Sequence, residues 1–155
     1  MEKTLTCFIP FSDKVSLEQT VNTLKASEIV EKIIIISGNE TYPELEDRDV
    51  SFLQTDGFAS SAAVRKMGAM VRTPFVMIYL RSFPPDPGKF ALNRMIQVCE
   101  SSGAGMVYSD YFEKKNGVIS PHPLIDYQEG SLRDDFNFGS MLLYEGSAFK
   151  DACIR

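Results

Sequence analysis

Four consecutive isoleucines, Ile33-Ile34-Ile35-Ile36, constrain this chain more than any other feature. Their branched Cβ atoms favour extended backbone. Successive side chains of a strand point to opposite faces, so an unbroken apolar run needs cover on both. That is the situation of a strand inside an α/β protein, with helices above and below the sheet. Ser37-Gly38-Asn39 ends the run.

The rest of the chain supplies matching pieces. Leu5-Thr6-Cys7-Phe8-Ile9 is a short apolar run stopped by Pro10, which cannot donate to a ladder. Ser16-Leu17-Glu18-Gln19 has capping-box spacing, and Leu17, Val21 and Leu24 follow on one helical face. Val50-Ser51-Phe52-Leu53 is a weaker strand, and Asp56-Gly57 a turn. Ser60 is placed to cap a helix whose apolar face is Ala63, Val64, Met67, Met70 and Val71. After Pro74, residues 75–80 read as a fourth strand. Asp86-Pro87 has the form of an N-cap and N1 pair for a helix with Leu92, Met95, Ile96 and Cys99 inward and Gly103 at its end. Met106-Val107-Tyr108 is a fifth strand. This alternation predicts an α/β fold with a mostly parallel sheet flanked by helices. Ligands of such sheets bind beyond the carboxyl ends of the strands, here the loops after Ile9, Ile36, Leu53, Leu80 and Tyr108.

From Glu113 onward the pattern changes. Asn116-Gly117 signals a hairpin, residues 126–139 are dense in polar and aromatic groups, and Met141-Leu142-Leu143-Tyr144 reads as one more strand before a short helix. The 155 residues suit one domain. The net charge of -5 argues against a nucleic-acid partner, though not against a small anionic ligand. Cys7, Cys99 and Cys153 form no CxxC pair and fit burial in a reducing cytosol. Met1-Glu2-Lys3-Thr4 leads straight into a strand, so no leader is expected. No apolar run approaches the roughly 20 residues of a membrane span. His122, between Pro121 and Pro123, has no partner in sequence, and neither GxSxG, P-loop nor GxGxxG is present. Nothing in the sequence points to an oligomeric state.

In order and spacing these segments resemble the family 2 glycosyltransferases, whose catalytic domain has the GT-A fold of the nucleotide-diphospho-sugar transferase type. Phe8-Ile9-Pro10-Phe11 is similar to the family's first strand, and Lys32 to Ile36 to its second. Asp56-Gly57 followed by Ala63-Val64-Arg65-Lys66-Met67-Gly68 is similar to its glycine and helix-arginine pattern. Met106-Val107-Tyr108-Ser109-Asp110-Tyr111 is similar to a later strand of bacterial members. The resemblance implies a single GT-A-like domain over 1–155, truncated before the acceptor-side elements. It implies a nucleotide-diphosphate sugar donor bound by Pro10, Phe11, Ser37, Gly38, Gly57, Arg65 and Arg81, and a saccharide or lipid-linked acceptor. It also implies a role in polysaccharide biosynthesis, in the cytoplasm or at the inner face of the membrane.

The chain departs from the family where metal chemistry is expected. The aspartate pair ending the second strand is Ser37-Gly38, the family's asparagine after the helix arginine is Lys66, and the DxD motif is Leu80-Arg81-Ser82. Magnesium or manganese would normally neutralise the leaving diphosphate. Leu80 and Ser82 supply no anionic oxygen, and Asp110 is the one weak candidate ligand nearby. Arg81, a fixed charge with a forked donor set, suits phosphate oxygens and stands in for the metal if it turns into the site. The catalytic residues are left unassigned. The expectation is a hexosyltransferase-type domain; the alternative is a degenerate GT-A module that binds or scaffolds, and a receiver-like domain ranks last.

Overall fold

The computed structural model describes residues 2–38 and 47–155. The segment of Asn39 therefore lies outside the described residues. Within them the chain forms β1 (Leu5–Pro10), α1 (Lys14–Lys25), β2 (Val30–Ser37), β3 (Val50–Gln54), α2 (Ser61–Met70), β4 (Phe75–Tyr79), α3 (Ala91–Ser102), β5 (Met106–Val107), β6 (Tyr111–Lys115), β7 (Val118–His122), β8 (Met141–Glu145) and α4 (Gly146–Ile154). Six strands make one sheet in the order β3-β2-β1-β4-β8-β5, and β6 and β7 make a separate hairpin. The first four strands are parallel, and β8 runs antiparallel to both β4 and β5. The mostly parallel α/β sheet read from the sequence is the observed one.

The isoleucine run is buried on both faces as its composition requires. Ile33 and Ile35 join Cys7, Ile9 and Met77 against Leu17, Val21 and Leu24 of α1 and Leu92, Met95 and Cys99 of α3. Ile34 and Ile36 join Phe8, Val76 and Ile78 against Met67 of α2 and Phe149 and Cys153 of α4. All three cysteines are free and buried, and burial raises each thiol pKa.

Four local expectations are corrected. The cap of α1 is Asp13, not Ser16: its Oδ1 accepts from Ser16 N at 3.0 Å, and these hydrogen bonds from Ser16 hold the carboxyl below its usual range. The Asp86-Pro87 pair does not start α3, because residues 84–88 stay irregular and the helix begins at Ala91. Its N-cap is Phe90, in the left-handed region at φ 68° with no side-chain cap. The fifth strand is only Met106–Val107. His122 lies in β7 rather than in a loop. By contrast Ser60 caps α2 through Ala63 N, Gly103 ends α3 at φ 68°, and Asn116 and Gly117, both at positive φ, turn the hairpin.

α2 and α4 pack tightly. A Cβ on Gly68 would meet Cys153 Cβ at 2.6 Å. Gly68→Ala is therefore expected to lower the unfolding free energy by about 1–3 kcal/mol in denaturant titration. Adding Cys153→Ala should not restore it, because alanine keeps the clashing Cβ. Phe90 is strained the other way: a bulky residue in the left-handed region loses about 1–2 kcal/mol that glycine does not. Phe90→Gly should stabilise the protein by about 1 kcal/mol in the same titration, glycine also being acceptable at an N-cap.

Candidate functional site

Because β8 is antiparallel, its first residues lie at the same sheet edge as the last residues of β1–β5. The strand order reverses between β1 and β4, so the switch point at that edge lies between the loop after Pro10 and the loop after Tyr79. Most residues expected from the sequence gather along this edge. Phe11 N donates to Ile36 O at 2.8 Å, which joins the ends of β1 and β2. Thr55 N donates to Ser37 O at 2.9 Å, joining β2 to the loop that carries Gly57. Ser37 is 4% exposed and its Oγ has no hydrogen-bond partner. A Cβ on Gly57 would meet nothing within 4 Å, so the backbone there is open to approach. Phe11 packs its ring against the α1 and α3 core.

Three hydrogen bonds hold the loop after β4. Leu80 N donates to Ser140 O at 2.9 Å. Arg81 Nε donates to Ser140 Oγ at 3.2 Å, leaving the terminal guanidinium nitrogens on an exposed side chain. Tyr79 Oη donates to Phe83 O at 2.9 Å. Burial pushes the Tyr79 phenol up to about 12, with the nearby Arg81 charge opposing. Ser140 and Tyr79 escape notice in the sequence. Ser140 becomes a neighbour of Arg81 only because β8 inserts between β4 and β5, far along the chain from the loop that it meets.

Arg65 is separated from this constellation. It lies on the exposed side of α2, and among the described residues it has no ion-pair partner. Lys66 Nζ donates to Gln54 O at 3.2 Å. Beside it a hollow of about 340 Å³ is lined by Gln54, Thr55, Asp56, Ala62 and Lys66. A second, of about 680 Å³, runs along β5 between Val98, Met106, Tyr108, Asp110, Leu124 and Tyr127. The two flank the switch point, one beyond β2 and the other beyond β8.

The residues present do not fit a divalent metal. Leu80-Arg81-Ser82 carries no carboxylate, and Asp110 Oδ1 is engaged by Leu124 N at 2.7 Å. No group of three His, Cys, Asp or Glu among the described residues is arranged to hold an ion. No helix among them is long and apolar enough to cross a membrane.

These features define an α/β domain of the nucleotidyltransferase type, with a ligand edge at the carboxyl ends of its strands. Solved structures of that fold align along almost the whole chain. The bifunctional IspDF from Campylobacter jejuni aligns with TM-score 0.58 and 14% identity over 97% of this chain and 43% of its own. The 2-C-methyl-D-erythritol 4-phosphate cytidylyltransferase (IspD) of Francisella tularensis aligns with TM-score 0.61 and 11% identity, over 97% of this chain and 76% of its own. The enzyme of that name from Thermus thermophilus aligns with TM-score 0.53 and 14% identity, over 99% of this chain and 75% of its own. The chain thus spans less than half of the first and about three quarters of the other two. At these identities the likeness carries the fold. No protein-family model matches the sequence, and no curated protein sequence does.

Tyr79 makes stability depend on alkaline pH. Its folded-state pKa is raised above the ordinary 10, so its contribution is complete below pH 10 and is lost as the pH climbs toward 12. In chemical denaturation from pH 9 to about 12, Tyr79→Phe should show a shallower loss of stability than the parent. It should be less stable at neutral pH by about 1 kcal/mol, through the orphaned Phe83 carbonyl.

Proposed function

We propose that this chain is a glycosyltransferase-type domain that takes a nucleotide-diphosphate sugar at the carboxyl edge of its sheet without a metal ion. The carrying observation is Arg81, seated by Ser140 where the switch point places a ligand. Departure of a nucleoside diphosphate from an anomeric carbon leaves two phosphates' worth of negative charge. A guanidinium there offers a fixed counter-charge and paired donors, and so favours the charge-separated state over the intact donor. Pro10, Phe11, Ser37, Gly38 and Gly57 line the nucleotide side, where the smaller hollow lies. The buried, unpartnered Ser37 Oγ supports a polar ligand atom there, because such an oxygen ordinarily finds a partner. Arg65 serves as a second phosphate contact from α2. The groove along β5 then receives the acceptor, a saccharide or lipid-linked saccharide. That the structural neighbours are cytidylyltransferases supports a nucleotide phosphate as the ligand class.

A second reading keeps the ligand and drops the transfer: a binding module beside an active transferase. It is favoured by the engagement of Asp110 with Leu124, which leaves no free carboxylate at the end of β5 to deprotonate an acceptor.

The test is thermal unfolding against uridine, guanosine and cytidine diphosphate sugars, in EDTA and in manganese. A ligand at about 100 times its Kd stabilises by about 2.7 kcal/mol. A shift that survives EDTA is expected, with about tenfold weaker binding in Arg81→Ala and a smaller loss in Ser140→Ala. Combining the two should add nothing to Arg81→Ala, because Ser140 acts through the guanidinium. No shift with any donor, or one needing manganese, overturns the proposal. Binding without hydrolysis or transfer selects the second reading.

A further inference from the structure

We propose that the hairpin β6–β7 is an arm by which two copies of this chain clasp one another. The observation is independent of the ligand edge. A two-stranded hairpin is at best marginally stable alone in water, yet this one belongs to no larger sheet. Phe112, Val118 and Ile119 on it are 63–74% exposed. The register puts Phe112 opposite Pro121 and Lys114 opposite Ile119 on one face, an apolar strip with a cation at its outer end. Five-residue strands carry that strip about 16 Å from its base.

The base is fixed to the body. Asp110 Oδ1 accepts from Leu124 N at 2.7 Å across the neck of the hairpin. Tyr111 and His122 stack at 4.6 Å, and Asn137 Nδ2 lies 3.4 Å from Tyr111 Oη and 3.5 Å from His122 Nε2. The arm is thus held at its root and bare at its tip.

Residues 123–139, which follow it, are the complement. Ile125, Tyr127 and Leu132 are 55–74% exposed. This segment carries Asp126, Glu129, Asp134 and Asp135 against Arg133, a net of -3, whereas the hairpin carries Lys114 and Lys115 against Glu113, a net of +1. Among the described residues neither hairpin lysine makes an ion pair within the chain. Apolar and basic on one side, apolar and acidic on the other, the two surfaces match each other. Since both lie on one chain, two copies related by a two-fold axis satisfy them reciprocally, arm of each against the segment of the other. Six large side chains per copy, with the hairpin backbone between them, approach the roughly 800 Å² per partner that a specific interface buries. An anionic lipid surface is the poorer match, because the acidic segment beside the arm would be repelled from it.

The chain in solution is to be examined by sedimentation equilibrium across a range of salt. A dimer that weakens as salt rises is expected. Lys114→Glu with Lys115→Glu should weaken it at least about tenfold, and so should Asp134→Lys with Asp135→Lys. An equimolar mixture of these two variants should form a heterodimer, because each acidic arm then meets a basic segment and each basic arm an acidic one. Unchanged far-ultraviolet circular dichroism confirms that the variants are folded. A monomeric parent at all concentrations overturns the proposal, as does a dimer indifferent to both charge changes, or two monomeric variants that fail to associate when mixed. A monomer that sediments with phosphatidylglycerol vesicles would overturn it in favour of lipid docking.

Discussion

Burial of β1 on both faces organises this molecule. Cys7 and Ile9 face the layer of α1 and α3, while Phe8 faces that of α2 and α4. A strand so placed cannot offer its faces to a ligand. It can only be paired, and β2 and β4 pair it on either side. The polar exception is tolerated because it is satisfied inside: Thr6 and Thr73 share a hydrogen bond of 2.7 Å, and Thr73 Oγ1 donates onward to Phe75 O. What remains open to chemistry is the sheet's edge, where the strands end and backbone groups of five loops converge. The interior thus determines the address of the site without determining its chemistry.

At that address the chain places a cation of its own. A carboxylate pair that recruits a metal makes affinity depend on the ion and on its concentration. A guanidinium is charged at every relevant pH and is already present before a ligand arrives. Its weakness is freedom, since a long side chain loses rotamer entropy when it is held. Two neighbours limit that loss. Ser140 engages Nε and leaves the outer nitrogens available, and Tyr79 fixes the turn of the loop through Phe83.

Sequence patterning reached the interior well and the edge only in part. Runs such as Ile33 to Ile36, and helical faces such as Leu17, Val21 and Leu24, are long enough for periodicity to specify burial. Caps were readable where a side chain makes the cap, as at Ser60, and misread where neighbours compete. Asp13, three residues ahead of Ser16, takes the bond first, and Asp86-Pro87 carries the right residues without the helix that should follow. The place of β8 was invisible, because an apolar run says that a strand is buried and not which strands it joins. With it went Ser140, whose relation to Arg81 exists only through that insertion. Asp110 was legible as an acid near the edge; its engagement with Leu124 depends on a hairpin neck that no spacing rule describes.

The same insertion brings two parts of the molecule into one short stretch. Asn137 reaches the root of the hairpin through Tyr111 and His122, and Ser140, three residues on, holds Arg81. Between them Gly139 takes a positive φ of 79°, and a Cβ there would meet Leu124 at 3.2 Å. The Asn137 side chain stiffens this turn by accepting from Gly139 N at 2.8 Å. A displacement of the hairpin root therefore bears on the backbone that seats the guanidinium, over a short path from Asn137 to Ser140 whose conformation is determined by contact at each end. In a fold whose faces are sealed, this is where an event at the arm and an event at the ligand edge meet the same atoms.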